Sequence, residues 1–201
     1  MENNSVTEGR NNLYPIFLKL EQLRVLLVGG GNVGYEKLTS LLSNSPQASI
    51  TIVAPLIRNE VRELADKHTA CTVIQRFFEM TDLDNKDIVV CATDNKELHK
   101  QVKQLANERK LLVNVADTPE LCDFYLGSIV QKGNLKIAIS TNGKSPTIAK
   151  RIKEVLQESI PEEIDSLLQN MQGIRNKLCG DFSEKVKQLD ELTKKLSQNN
   201  L

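Results

Sequence analysis

Leu23-Arg24-Val25-Leu26-Leu27-Val28 runs directly into Gly29-Gly30-Gly31-Asn32-Val33-Gly34. Apart from Arg24 the first six residues are apolar. A strand buried on both faces has that composition, because a parallel sheet covered by helices has no polar side. The next six fit G-x-G-x-x-G, and Val33, Leu38, Leu41 and Leu42 then follow a helical stripe over 32–43. In such a strand, loop and helix, Gly29 allows the tight turn and Gly31 lets the backbone approach a pyrophosphate. Gly34 lets helix and strand pack closely. The helix N-terminus adds free N–H groups and a positive dipole end for the anion. The stretch predicts a dinucleotide-binding unit.

Outward from this loop, strands are expected over 49–54, stopping at Pro55, and over 71–76, 88–92 and 111–115. Helical spacing fills 58–68 and 97–109 between them. Strands alternating with helices predict an α/β fold, a Rossmann-like doubly wound parallel sheet. The pattern changes after Asp117. Two strands over 124–131 and 135–140 join across Lys132-Gly133-Asn134, a β-hairpin whose glycine supplies the turn. Ser145 then caps a helix with Pro146 in its first position and Ile148, Ile152, Val155 and Leu156 as its stripe. A further helix starts at Pro161 and closes on Cys179-Gly180, and a last one covers 181–197 with Val186, Leu189, Leu192 and Leu196. The tail is all-helical. Ahead of the sheet, Tyr14-Pro15-Ile16-Phe17-Leu18 reads as a short extended segment.

Among the 201 residues, 26 basic and 26 acidic side chains cancel, so no overall field favours nucleic acid or an anionic membrane. No apolar run approaches the roughly 18 residues of a membrane span. The polar start has no signal-peptide core, and a cytoplasmic protein is expected. Four scattered cysteines form no C-x-x-C pair and read as reduced thiols. The two histidines stand apart from any Cys/His cluster, so no metal site is read. Tryptophan is absent, which argues against a stacking platform for single-stranded nucleic acid.

An NAD site usually places Asp or Glu at the end of the second strand. This chain has Val53-Ala54-Pro55-Leu56 there, then Arg58, with no carboxylate before Glu60. The backbone of Pro55 and Leu56 would line the adenosine pocket, and NAD versus NADP stays open at this point. Ligands of open α/β sheets bind outside the carboxyl ends of the strands. Thr93-Asp94 and Asp117 both fall on that edge. Asp117 is a candidate general base, though Asp before Thr-Pro also starts turns well. Ser140-Thr141-Asn142-Gly143-Lys144-Ser145-Pro146 is a second polar loop before a helix carrying Lys150 and Arg151. It reads either as a capped helix start with a solvated basic face or as a place for the carboxylates of a large anionic ligand.

The run Y-P-I-F-L-K-L, then V-G-G-G-N-V, A-T-D, N-V-A-D-T-P-E-L-C-D-F and I-S-T-N-G-K-S-P, resembles the dehydrogenase module of siroheme synthases. That is the precorrin-2 dehydrogenase / sirohydrochlorin ferrochelatase family, and the stand-alone form is expected. The resemblance spans roughly 14–156. It implies NAD-dependent oxidation of precorrin-2 to sirohydrochlorin and leaves ferrous iron insertion to siroheme open. It places the catalytic aspartate on Asp117 and cofactor contacts on Asn32, Val33, Pro55 and Leu56, and it makes Ser140, Thr141, Lys144, Lys150 and Arg151 candidate partners of a tetrapyrrole. Thr141 stands where some relatives have a phosphorylated serine. The family is dimeric, which implies a Rossmann domain over 1–112, a dimerisation segment over 113–145 and a helical domain over 146–201. A nucleotide-sensing regulatory module is the alternative from another class, and a dehydrogenase of simple hydroxy acids a further one. The sensing module has no reason for the N-V-A-D-T-P and I-S-T-N-G-K-S-P loops, and the simple dehydrogenase would be favoured by NAD reduction with simple alcohols or hydroxy acids and none with tetrapyrroles.

Overall fold

The structure is a computed structural model that describes residues 10–178 and 182–198; the expected helix end at Cys179-Gly180 lies outside them. Residues 12–126 form one compact unit and Gly127 onward belongs to another.

The first unit is built from β1 (Arg24–Gly30), α1 (Asn32–Asn44), β2 (Ser49–Ile57), α2 (Asn59–Asp66), β3 (Cys71–Ile74), β4 (Ile88–Cys91), α3 (Lys96–Glu108) and β5 (Leu112–Val115). The five strands are all parallel, in the order β3-β2-β1-β4-β5. The apolar run of β1 has partners on both faces. Val25 and Leu27 pack with Leu38, Leu41 and Leu42 of α1 and Val61 and Ala65 of α2. Leu26 and Val28 pack with Val102 and Ala106 of α3 and with Leu83. Alternate side chains of a strand point to opposite faces, so this single strand seeds two cores. Each fully buried Leu or Val contributes about 1.5–3 kcal/mol.

β2 does not stop at Pro55 but runs to Ile57. Val28 pairs with Val53 and Gly30 with Ile57, so β1 advances two residues (28 to 30) while β2 advances four (53 to 57). Proline has no N–H for a regular ladder, and the slip lets the strand continue past it. Pro55 and Leu56 are left exposed, Leu56 at 81%.

The second unit starts with β6 (Ser128–Lys132) and β7 (Leu135–Ile139), an antiparallel hairpin turning at Gly133, whose φ is +53°. The expected first strand began at Phe124. Instead Phe124 and Leu126 pack on the core of the first unit, because the Asn114 side-chain amide donates to Phe124 O at 2.8 Å. Three helices follow: α4 (Pro146–Ser159), α5 (Ile164–Lys177) and α6 (Phe182–Gln198). α4 has the predicted cap, Ser145 Oγ accepting from Ile148 N at 3.2 Å, with Pro146 in its first turn. α5 begins at Ile164 rather than Pro161, after a turn in which Ile164 N donates to Pro161 O. Lys132 Nζ, buried, donates to Ile160 O at 2.5 Å and to Glu162 at 2.6 Å, and Asp165 accepts from Asn134 N at 2.7 Å. These contacts fasten the hairpin to the ends of α4 and α5.

Residues 11–19 have no regular secondary structure, and Tyr14, Ile16 and Phe17 are exposed. No helix among the described residues is long and apolar enough to cross a membrane.

Candidate functional site

The glycine loop is shaped by close backbone approaches that leave no room for a side chain at Gly29, Gly30 or Gly34. Gly29 has φ +128°, and a Cβ there would lie 2.2 Å from Ala92 O. A Cβ on Gly34 would lie 2.4 Å from Gly29 O. Gly31 differs, since a Cβ there meets nothing within 4 Å. Its bare backbone faces open space at the start of α1, and no side chain caps that helix. Uncapped N–H groups beside an open backbone suit the pyrophosphate of a dinucleotide.

Hydrogen bonds align the carboxyl ends of the strands beside this loop. Ala92 N donates to Val28 O at 2.8 Å, which puts Thr93-Asp94 next to Gly29. Ala116 N donates to Cys91 O at 2.9 Å, which puts Asp117 next to the end of β4. On the other side, a Cβ on Gly30 would lie 2.7 Å from Leu56 O. One sheet edge therefore gathers Gly29, Gly31, Asn32, Val33, Gly34, Pro55, Leu56, Thr93, Asp94 and Asp117.

Asp117 is exposed, and its backbone sits in the left-handed region at φ +57°. Aspartate is among the few non-glycine residues that adopt this conformation readily. Beneath the turn lies Cys122. Its Sγ accepts from Val115 N at 3.2 Å and sits 3.2 Å from Val115 O and 3.5 Å from Thr118 O. Asp123 continues the arrangement, accepting from Val113 N at 2.9 Å and pairing with Lys103. Burial pushes the Cys122 thiol up, so it stays a neutral donor. Thr93 is held from below by His99, whose Nε2 lies 2.9 Å from the Thr93 hydroxyl, while Asn95 N donates to the same oxygen at 3.2 Å. Burial pulls the His99 imidazole below its ordinary value, toward the neutral form.

The structure matches that of SirC, a precorrin-2 dehydrogenase, with TM-score 0.72 and 30% identity, over 90% of this chain and 89% of that one. The chain belongs to the precorrin-2 dehydrogenase family. The family model described as putative NAD(P)-binding matches residues 16–128, and the sirohaem biosynthesis protein central model matches residues 132–159. The siroheme synthase of Pseudoalteromonas translucida is 40% identical over 84% of this chain, and that of Ruthia magnifica 36% over 88%. The chain spans about a third of those relatives' length, 35% in each case.

The remaining residues singled out from the sequence lie in the second unit of this family member. Thr141 Oγ1 donates to Ser145 O at 3.1 Å and accepts from Ser145 N at 3.2 Å, while Ser140 Oγ accepts from Asn142 N at 3.2 Å. Both hydroxyls are thus engaged in shaping the loop before α4, which turns through Asn142 at φ +55° and Gly143 at φ +73°. Lys144 and Lys150 are exposed, whereas Arg151 pairs with Glu154 at 2.6 Å. Sequence reasoning missed Cys122, Asp123 and His99. The only signal for the first two was their place in C-D-F after the Asp117 turn, and for His99 its place on the buried face of α3.

Proposed function

We propose that the chain oxidises precorrin-2 to sirohydrochlorin with NAD in the siroheme route. The observation that carries this is the shared sheet edge, where a glycine loop fit for a dinucleotide lies in line with Asp117. Bound NAD supplies a hydride acceptor. The chain's own residues do the rest. Gly31, Asn32 and Val33 offer N–H groups to the pyrophosphate, with Gly29 and Gly34 setting the turn. Pro55 and Leu56 line the adenosine side through the slip in β2. Thr93 and Asp94 border the nicotinamide side, and Asp117 takes the proton that leaves the substrate carbon as the hydride departs. The exposed amines of Lys144 and Lys150 pair with tetrapyrrole carboxylates, with Arg151, Ser140 and Thr141 beside them in the same loop and helix.

The protein works in the cytoplasm as a homodimer in this reading. Cys71, Cys91 and Cys122 are free thiols, and α4 leaves Ile148, Ile152 and Val155 exposed at 53%, 41% and 61%. An apolar stripe so uncovered is supported by a second copy packing on it. The segment over 113–145 would then lie between subunits.

The test is an anaerobic assay with fresh precorrin-2 and NAD, followed by sirohydrochlorin absorbance, with Asp117→Asn beside the wild type. Product from the wild type and a kcat lower by about 100-fold or more in the variant is the expected outcome. Adding ferrous iron to the same reaction asks whether siroheme forms. Folded wild type that binds NAD and yields no sirohydrochlorin would sink the proposal.

A further inference from the structure

Arg58 is the first residue after β2, and three groups hold it through four hydrogen bonds. Its backbone N–H donates to Gly30 O at 3.0 Å, and Nη1 donates to Asn32 Oδ1 in the glycine loop. Nε donates to Glu60 Oε2 at 3.2 Å and Nη2 to Glu60 Oε1, a two-pronged pair. The side chains are about half exposed, at 44% and 47%. Arginine and glutamate thus close the gap between the end of β2 and the start of α1. In a Rossmann unit that is where the adenosine ribose is read: a carboxylate takes the 2′-hydroxyl of NAD, or a nearby arginine takes the 2′-phosphate of NADP. This chain has no carboxylate at the strand end itself. It does have an arginine, but the fork of donors that matches a phosphate is already filled by Glu60.

We propose that Glu60 is the residue that restricts this site to NAD, by occupying the Arg58 guanidinium and setting a carboxylate in the path of a 2′-phosphate. This rests on the dinucleotide-binding reading above. A 2′-phosphate would have to break the pair with Glu60 and then sit beside the released carboxylate. A ribose hydroxyl asks for neither. The Asn32 contact gives the pair a fixed place, because it ties the guanidinium to the loop that holds the pyrophosphate.

The experiment is a titration of NADH and NADPH by nicotinamide fluorescence on the full chain without tetrapyrrole, for wild type, Glu60→Gln and the double variant Arg58→Met/Glu60→Gln. Thermal unfolding of each variant shows that it is folded. The wild type prefers NADH; Glu60→Gln tightens NADPH by about tenfold, on the scale of one charge-assisted hydrogen bond, and the double variant loses the gain. An unchanged ratio of the two affinities in Glu60→Gln overturns the proposal. So does a gain that survives Arg58→Met, or a wild type that takes NADPH as tightly as NADH. Wild type that binds neither nucleotide removes the dinucleotide reading itself, a different result from all of these.

Discussion

Gly29 and Gly31 stand two positions apart in one motif, and their surroundings call for glycine on different grounds. At Gly29 a side chain would need a left-handed backbone and would strike Ala92 O. Gly29→Ala should therefore unfold at lower temperature, by about 3 kcal/mol or more, as over-packing adds to backbone strain. Gly31→Ala meets no protein atom within 4 Å. Its melting temperature should stay near the wild type while NADH binding weakens about tenfold or more, since the added methyl group fills the space a pyrophosphate would use. A thermal melt beside a fluorescence titration separates the two. Asp117 follows similar logic, because its φ of +57° limits which variants are clean. Asp117→Asn keeps a side chain that tolerates the left-handed region, whereas Asp117→Val should cost about 1–2 kcal/mol before any catalytic effect is read.

At the scale of elements, what could be read from the sequence was what depends on local pattern. The strand, loop and helix around the glycines, the alternation of strands and helices that implies a parallel sheet, and the Ser145-Pro146 cap all depend on residues close in sequence. The slip in β2 does not. Pro55 marks where the regular ladder must break, but that pairing resumes between Gly30 and Ile57 depends on β1 and is not fixed by residues 49–57 alone. Phe124 and Leu126 were legible as apolar, but their core partners depend on Asn114 reaching Phe124 O. The engagement of Thr141 was likewise hidden, since the same hydroxyl in the sequence could serve a ligand. One further element, the turn Met80–Leu83, is tied to the stretch just after β3 by Asp82, which is nearly buried and accepts from Arg76 at 2.6 and 2.8 Å and from Glu79 N. Burial pushes the Asp82 carboxyl up, but the Arg76 and Glu79 hydrogen bonds outweigh it and hold it below the ordinary value. A carboxylate depressed in the folded state contributes stability above its unfolded value, and that contribution is lost as pH falls through the folded one. Asp87, held to about 2 by Arg24, acts in the same direction. Urea unfolding should thus show stability falling below about pH 4, and Asp82→Asn should flatten that slope while costing about 2 kcal/mol at pH 7.

For the molecule as a whole, the proposed dimer makes a direct prediction from α4. Ile152→Glu places a charge within the exposed stripe of Ile148, Ile152 and Val155. Sedimentation should give twice the chain mass for the wild type and a shift toward the single chain for the variant, with the helix itself intact by circular dichroism. A wild type that sediments as one chain sets the dimer aside. The contact of Gly34 with Gly29 O, which joins β1 to α1 without a side chain between them, also constrains the gene. Every single-base missense change of a glycine codon brings in an amino acid that has a Cβ. At positions 29 and 34 every missense change therefore brings a clash, so loss-of-function alleles collected at random should cluster there, and their products should be scarce in cell extracts. Alleles at position 31 should instead accumulate to normal levels as folded protein, and only the nucleotide-dependent phenotype would reveal them.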